Sequence, residues 1–429
     1  MAALTRRRAA AALAAAVLLA SPGAARAHAG LLSSAPAAGD TLREAPPRLV
    51  LRFTEPVDAS SSRLVLLGWD GRAVTLATER DPADVAAFTA ELPPLAPGGY
   101  RVQWRTLSAD GHPVEGSFVF FVGGPGAALA PAPAERVLEE PGSPAVRILA
   151  AMLRGLGVGA LAALCGLLLF ATGLAPAEER TRRPAAALAW AAPVLLAAHA
   201  VAWAAYARGS GDGEPLGHLL FGTLPGRVEA VRAGLAVLAL WALALARRPG
   251  LALAFAAAAV AASGATGHSA AIHPAWTVPA RAVHVAAVAV WTGGLAVLFL
   301  TARRGDELRA LSVRVSSLSL AAVVVLAATG ALQALLFAPD LGLLARSAYG
   351  AVLLAKLAGM AVLVAIGARN RYRLVPRLPA EDARLALRRA VGWELAVMSL
   401  VLLAAGLLAY VPVPRPRSEA AHTTHAEMN

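Results

Sequence analysis

The sequence predicts an all-β exported domain, built as an antiparallel β-sandwich or barrel, followed by an α-helical membrane bundle of about eight transmembrane helices. Three observations lead to this fold class. The N-terminus has the pattern of a secretory signal, a segment of short β-type runs follows it, and apolar stretches then recur to near the end of the chain. The composition agrees, because the 429 residues are 58% hydrophobic and only 15% charged, which is more apolar than an ordinary soluble protein.

Residues 1–27 have the three parts of a secretory signal peptide. Arginines at positions 6–8 precede an apolar run at 9–20, and small residues stand at Ala25 and Ala27. The peptidase that removes such signals accepts small side chains at these two positions, so we expect cleavage after Ala27. The mature chain then begins at His28, which carries a free α-amine.

Residues 28–122 predict a β-domain. Short β-rich runs are separated there by Pro, Gly and Asp, which is the pattern of an antiparallel sandwich. The segment holds 11 acidic and 8 basic residues in an otherwise basic chain, a balance that mildly favours a cation as ligand. The predicted strands are Leu49–Phe53, Leu64–Leu67, Ala73–Thr78, Tyr100–Leu107 and Ser117–Val122.

A linker and a membrane domain follow. Residues 123–144 are rich in Pro, Gly and Ala, which is linker composition. From 145 to 411, apolar stretches of about 18 to 25 residues recur, and each is long enough to cross the hydrocarbon core as a helix. Residues 412–429 form a polar tail. The apolar stretches are centred near residues 160, 196, 238, 257, 289, 326, 358 and 401.

Basic residues in the loops predict the orientation of the bundle. Loops near 176–184, 247–250, 301–314 and 369–389 carry 3, 2, 4 and 7 arginines, and cytoplasmic loops are the ones enriched in arginine and lysine. We therefore expect a multi-pass protein of the inner or plasma membrane, with the β-domain and the tail on the extracytoplasmic side. The net charge of +12 is mostly this topology signal, so it predicts no nucleic-acid partner.

The β-domain contains a candidate metal site. His28, as the first residue, offers its α-amine and its imidazole Nδ1 to one metal ion. Asp110 and His112 stand two residues apart in a turn between two predicted strands. Together these groups form an N,N,N,O ligand set suited to tetragonal Cu(II), which lies near the top of the affinity order for such ligands. A hydrogen-bonded turn without metal is the alternative for Asp110 and His112.

The β-domain resembles the CopC family of periplasmic copper-binding proteins in two segments, His28-Ala29-Gly30-Leu31-Leu32-Ser33-Ser34-Ala35-Pro36 and Asp110-Gly111-His112-Pro113-Val114-Glu115-Gly116-Ser117-Phe118. The resemblance implies a cupredoxin-like β-barrel in which His28, Asp110 and His112 bind Cu(II). Some members also hold Cu(I) in a methionine-rich loop. Residues 28–144 contain no methionine, so we expect only Cu(II) here.

Histidines in the membrane domain suggest further ligands. None of the nine histidines lies in a predicted cytoplasmic loop. His268 and His284 are tentative copper ligands, and His199 and His273 are weaker ones. The alternative is hydrogen bonding between helices, because a polar side chain in the membrane needs a partner. Gly293 and Gly294 follow His284 on one helix and permit close approach of a neighbouring helix.

Lys356 is the only lysine and lies within the seventh apolar stretch. An ammonium group there needs a partner, and Glu229 and Glu394 are candidates. The membrane half resembles the CopD family of copper-associated inner-membrane proteins, through Gly267-His268, His284 with Trp291-Thr292-Gly293-Gly294, and Tyr349-Gly350 through Lys356 to Asn370-Arg371. That resemblance implies transfer of copper from the outer domain into the membrane portion.

The expected function is Cu(II) binding outside the cytoplasm with delivery of copper to the membrane domain for uptake. We expect no enzymatic activity; the chain lacks a phosphate-binding loop and an Asp-Lys-Thr-Gly motif, which excludes an ATP-driven pump. The expected partners are copper, the lipid bilayer and an extracytoplasmic copper chaperone or reductant. Copper resistance by sequestration remains an alternative, as do a haem-binding electron-transfer protein that uses His199 and His284 and a copper monooxygenase.

Overall fold

The computed structural model describes residues 30–108, 111, 113–123, 143–173, 179–209, 215–265, 274–301, 305–337, 342, 344, 346–378 and 380–411. These residues form nine β-strands followed by nine α-helices, in the order that the sequence predicts. The strands make up a β-domain and the helices a membrane bundle.

The β-domain is a two-layer sandwich. One sheet has the strand order β1-β3-β7-β6 and the other the order β2-β9-β8-β4-β5. All pairs are antiparallel except β2 with β9, which is parallel. The strands are β1 Leu31–Ala35, β2 Thr41–Leu42, β3 Arg48–Phe53, β4 Val57–Gly68, β5 Ala73–Leu76, β6 Glu79–Arg80, β7 Ala87–Glu91, β8 Gly98–Ser108 and β9 Pro113–Val122.

Side chains from both sheets fill the space between the layers. On β3, Leu49, Leu51 and Phe53 point inward at alternate positions and are buried, as the period of two in a strand requires. Phe53 packs edge-on against Trp104 of β8, with 5.0 Å between the ring centroids. This core fixes the register of β8 and β9, and therefore the position of the loop that joins them.

All eight predicted apolar stretches are helical, and the short helix α3 is additional. The helices are α1 Pro144–Gly173, α2 Glu179–Arg208, α3 Leu216–Phe221, α4 Leu224–Ala244, α5 Pro249–Ala262, α6 Pro274–Leu300, α7 Gly305–Phe337, α8 Ala348–Arg369 and α9 Glu381–Leu408. Short 3₁₀ and π segments extend α5 and α8.

Six helices in the described ranges are long and apolar enough to cross a membrane, namely α1, α2, α6, α7, α8 and α9. The expected number was about eight, and α4 and α5 account for the difference. Helix α4 carries Arg227, Glu229 and Arg232 in its first half, and these charges lower its apolar character. Helix α5 has 14 residues, which is about 21 Å of helix against the roughly 30 Å of a hydrocarbon core.

Glycines bring α1 close to α6 and to α9. A Cβ at Gly166 of α1 would overlap the Ala289 carbonyl and Gly293 of α6. A Cβ at Gly406 of α9 would overlap the Ala151 carbonyl of α1. The close approach expected at Gly293 is therefore confirmed, and it makes α1 the central helix of the packing.

Candidate metal centre

The predicted Cu(II) ligands His28, Asp110 and His112 lie outside the described residues. Their chain neighbours Gly30 and Gly111 are described. Gly30 is held by two hydrogen bonds to Thr54, because its N–H donates to Thr54 Oγ1 at 2.9 Å and its carbonyl accepts from the Thr54 N–H at 2.9 Å. Two residues span at most about 7 Å, so this anchor limits where His28 can reach.

A buried carboxylate connects that anchor to the β8–β9 loop. Glu55 follows Thr54 in the chain and is 4% exposed. Its Oε1 accepts a hydrogen bond from Ser108 Oγ at 2.5 Å, and Ser108 is the last residue of β8. The segment that follows His28 and the loop that carries Asp110 and His112 are therefore joined at one end of the sandwich. Sequence reasoning missed Glu55; an acidic residue before a proline between two predicted strands was its only signal.

The β8–β9 loop, defined as Ser108–Pro113, turns at Gly111. The Gly111 N–H donates to the Ser108 carbonyl at 2.9 Å, and φ of Gly111 is +85°, a left-handed conformation that glycine adopts without strain. Leu107 and Pro113 pair across the base of the loop. The turn therefore fixes the chain on both sides of the two predicted ligands.

This loop rests on the membrane bundle. The Trp203 indole N–H of α2 donates to the Gly111 carbonyl at 2.7 Å, and the hydrogen bond is buried. A Cβ at Gly111 would lie 3.1 Å from Pro225 Cβ of α4 and 3.3 Å from the Trp203 Nε1. Glycine is thus needed here for close approach as well as for the turn.

Two further contacts join the domains. Ser60 Oγ of β4 donates to Asp58 Oδ1 and lies 3.2 Å from His218 Nε2 of α3, so His218 donates to Ser60. An apolar cluster also crosses the boundary, in which Leu107 of β8 is buried with side chains of three helices and of the segment after α9. Those side chains are Ala150, Ala151, Ala202, Trp203, Ala204, Tyr206, Leu219 and Tyr410.

The described ranges contain no group of three or more His, Cys, Asp or Glu side chains that could hold a metal ion. Besides the ligands of the β-domain, the predicted membrane ligands His268 and His273 fall outside those ranges, as do His422 and His425 of the tail. Only His199 and His284 of the predicted ligands have described surroundings.

His199 faces protein groups at both of its ring nitrogens. It is 1% exposed, and its Nε2 lies 2.9 Å from the Tyr410 hydroxyl. Its Nδ1 lies 3.3 Å from Oε2 of Glu229, an ion-pair approach without the alignment of a hydrogen bond. Both ring nitrogens therefore face protein partners, and this geometry favours the packing role over a metal or haem ligand.

Within the described ranges, His284 forms a hydrogen bond through one of its two ring nitrogens, Nδ1. The Thr329 hydroxyl donates to the Val325 carbonyl at 2.7 Å, so its oxygen accepts from Nδ1–H of His284 at 2.8 Å. Nε2 then carries the lone pair that a metal needs. However, the positive charges of Lys356 and Arg281 influence His284 electrostatically. Two neighbouring cations repel a metal cation that approaches Nε2.

Lys356 is half-buried on α8. In the described part of the chain it forms no ion pair with Glu229 or Glu394, the two partners that its sequence position suggests. Glu394 accepts a hydrogen bond from Asn370 Nδ2 at 3.2 Å, and Glu229 is bound to an arginine. The charged side chain that influences Lys356 electrostatically is Arg281, which repels its ammonium group.

A buried ion cluster lies beneath the β8–β9 loop, and sequence analysis named His199 and Glu229 of this cluster but missed their partners. Arg232 Nη1 donates to both Glu229 oxygens at 2.8 and 2.7 Å, and Arg232 and Glu229 are 0% and 3% exposed. Arg154 Nη1 of α1 lies 3.9 Å from Glu229 Oε1. The buried ion cluster consists of Arg154, His199, Glu229, Arg232 and Tyr410. Because His199 is one helical turn before Trp203, the cluster lies next to the docked loop.

Comparison with known protein families matches two parts of the chain. The CopC domain family matches residues 31–123, from β1 to the end of β9. The family described as copper resistance protein D, CopD, matches residues 309–408, from α7 to the end of α9.

Two relatives agree with these matches. The copper transport protein CutJ of Bacillus subtilis (strain 168) is 27% identical over 432 aligned residues, which cover 94% of this chain and 78% of CutJ. Copper resistance protein C of Escherichia coli is 36% identical over 108 residues, which cover 23% of this chain and 83% of that protein.

Solved structures match the β-domain. CopC from Methylosinus trichosporium OB3b is 30% identical with a TM-score of 0.21, and the match covers 26% of this chain and 100% of CopC. PcoC from Escherichia coli is 32% identical with a TM-score of 0.20, and the match covers 22% of this chain and 99% of PcoC. PcoC is described as methionine-rich, whereas residues 28–144 of this chain contain no methionine.

Proposed function

Because this chain belongs to the copper-handling family that joins a CopC domain to a CopD domain, we propose that it takes up copper in two steps. The β-domain binds Cu(II) outside the cytoplasm through His28, Asp110 and His112. The β8–β9 loop then passes copper to the membrane bundle. The copper is cargo, and a separate reductant or copper chaperone outside the cytoplasm serves as partner, since no reductase motif is visible in the sequence.

The hydrogen bonds at the end of the sandwich support the proposed ligand set. Gly30 is tied to Thr54, and Glu55 is tied to Ser108, so the N-terminal segment and the β8–β9 loop start from neighbouring points. A rigid base of this kind reduces the entropy lost when three separate ligands close on one ion. In this proposal Glu55 is a positioning residue that holds the loop.

The orientation follows from the arginine-rich loops. The loops with 3, 4 and 7 arginines near 176–184, 301–314 and 369–389 connect α1 with α2, α6 with α7, and α8 with α9, which are the six helices long and apolar enough to cross a membrane. These loops alternate with the others along the bundle, which is the pattern of cytoplasmic loops. The β-domain then lies on the opposite, extracytoplasmic side.

The observation that carries the proposal is the buried hydrogen bond from the Trp203 indole to the Gly111 carbonyl. Gly111 stands between the two predicted loop ligands, so the contact brings the copper-binding loop against α2 and α4. A domain that only sequesters copper needs no such contact at its ligand loop. The same ligands serve import and sequestration, and the docked loop favours delivery.

Trp203→Phe tests this contact, since it removes the indole N–H and keeps an aromatic ring. We expect unchanged Cu(II) affinity in the purified full-length protein. The rate at which cells accumulate radioactive copper should fall about two- to tenfold, the equivalent of one neutral hydrogen bond.

Trp190→Phe is the matched control, because Trp190 lies on the same helix and is 62% exposed. This variant should accumulate copper at the rate of the unsubstituted protein. Accumulation by Trp203→Phe at the unsubstituted rate would show that the contact plays no part in delivery.

A haem-binding electron-transfer protein is disfavoured by His199. Both of its ring nitrogens face protein partners, at 2.9 and 3.3 Å, and axial ligation of haem would require one of them to leave.

A further inference from the structure

We propose that the membrane bundle holds a small inorganic anion beneath the β8–β9 loop, bound by the guanidinium groups of Arg232 and Arg281. The site lies at the end of the bundle that contacts the β-domain. It is separate from the proposed Cu(II) ligands.

Arg232 supplies most of the free donors. Its side chain is fully buried, with 0% exposure, and one of its nitrogens, Nη1, makes both hydrogen bonds to Glu229. Its Nε and Nη2 are buried and have no hydrogen-bond partner among the described residues. A guanidinium has five N–H donors, so three of them remain for a ligand. Buried donors without an acceptor are rare because each loses its hydration.

Arg281 adds a second guanidinium with a free donor. It lies on α6, and its Nε is also buried without a partner in the described ranges. The charged side chains of Arg154, Arg232 and Glu229 lie near enough to influence Arg281 electrostatically. Glu229 is the one carboxylate among these groups, so the described charges around Arg281 are mainly positive.

These groups lie deep within the helices, so their excess positive charge costs free energy. Arg154, Glu229, Arg232 and Arg281 lie 5 to 10 residues inside the first residues of α1, α4 and α6, which corresponds to about 8 to 15 Å along the helix axes. Cations at such depth pair with anions, with backbone carbonyls or with water. Guanidinium groups form their strongest hydrogen bonds with anionic acceptors. An anion satisfies the donors and the charge together, which water does not.

The anion site has a consequence for copper, and this step rests on the proposed function. Lys356 and Arg281 both act on His284, and their charges oppose the approach of a copper cation to its free Nε2. A bound anion next to Arg281 offsets that repulsion. Chloride would then help copper to enter the bundle without being a ligand of the β-domain.

Chloride binding to the purified full-length protein, free of copper, tests the site directly. Radioactive chloride is measured by equilibrium dialysis in detergent against gluconate at constant ionic strength. We expect saturable binding of about one chloride per chain, and a saturable rise in the Tm of the protein, as mass action requires for a ligand of the folded state.

Three variants separate the site from the fold. Arg281→Gln should weaken chloride binding at least tenfold. Arg232→Gln alone leaves Glu229 buried without its main partner and can fail to fold, so the double variant Glu229→Gln, Arg232→Gln removes the pair at constant net charge and should also lose saturable binding. Arg227→Gln is the control, because Arg227 lies on the same helix and is exposed, and it should bind chloride normally.

The outcomes are distinct from those for copper. Cu(II) titration of the same samples reports whether the β-domain is folded and binds its cargo. Loss of chloride binding in Arg281→Gln and in the double variant, with Cu(II) binding retained, supports the anion site. No saturable chloride binding by the unsubstituted protein, or normal binding by Arg281→Gln and the double variant, overturns it and leaves the copper proposal untouched.

Discussion

His28→Ala is expected to weaken Cu(II) binding by the full-length protein by more than about 100-fold, since even the loss of a residue that only supports a metal ligand costs 10- to 100-fold. The first residue of the mature chain would supply two nitrogens to one ion, and alanine keeps only the α-amine. The loss of the chelate ring is therefore larger than the loss of one ligand. His112→Ala and Asp110→Asn should each weaken binding by about 10- to 100-fold or more.

The measurement is a competition titration against a Cu(II) chelator. Mass spectrometry must first show that the mature chain begins at residue 28, and the variant keeps the small residues at Ala25 and Ala27 that direct cleavage. Affinity should fall as the pH is lowered, because protons compete with the metal for the amine and the imidazoles.

His218→Ala is the matched control for the titration. His218 is a histidine that touches the β-domain through Ser60 and is not a predicted ligand. A mature chain that begins elsewhere, or full affinity in His28→Ala, would contradict the predicted ligand set.

Glu229→Gln is expected to destabilise the membrane bundle by about 3–5 kcal/mol, the range found when one partner of a buried ion pair is removed. Arg232 is then left as a fully buried guanidinium without its carboxylate. Arg232→Gln should destabilise the bundle by a similar amount, because it leaves the Glu229 carboxylate buried without this arginine. The double variant should lose much less than the sum, since neither residue of the pair then leaves the other buried without its partner.

The stabilities of the two single variants and the double variant are compared by unfolding each protein in detergent, with heat or with a denaturing surfactant. Glu381→Gln is the control, because Glu381 and Arg384 form a pair with the same spacing of three residues, but Glu381 is 70% exposed. Exposed pairs are worth about 0–1 kcal/mol. Additive losses in the Glu229 and Arg232 variants would show that the two residues are not coupled.

The main elements of the fold are predictable from local patterns. The five predicted strands all occur, because short runs rich in β-branched, aromatic and other apolar residues between turn residues are typical of strands. Strands β1, β2, β6 and β7 were not predicted, and β2 and β6 have only two residues each. β1 is exposed along much of its length, and β7 contains alanines and a single aromatic residue, so neither has strong alternation.

The membrane helices show where such patterns stop being informative. Apolar length predicts all eight segments, and Gly293 predicts that α6 approaches a neighbouring helix closely; the structure identifies this helix as α1. The number of spans differs because α4 combines an apolar second half with three charges in its first half and because α5 has only 14 residues. Those charges are the signal for the buried ion cluster. The partners of Glu229 come from α1, α2 and α4, however, and the arrangement of separate helices cannot be read from spacing along one helix.

The β8–β9 loop is an intermediate case. Asp110, Gly111 and His112 predict a turn with ligands, and Gly111 does adopt a turn at φ of +85°. Nothing in the sequence indicates that Trp203 and Pro225 would contact that turn. Contacts between domains depend on surface shape, which is set only when both domains are folded.

The most direct test of delivery through the docked loop is the amount of copper in the cytoplasm. A copper-responsive reporter is measured in cells that lack the gene and in cells that produce the unsubstituted protein, His112→Ala or Trp203→Phe, at equal protein levels. Uptake predicts the highest signal with the unsubstituted protein, less with Trp203→Phe, and with His112→Ala a signal close to that of cells without the gene. A higher cytoplasmic copper signal in cells without the gene would contradict uptake and favour sequestration.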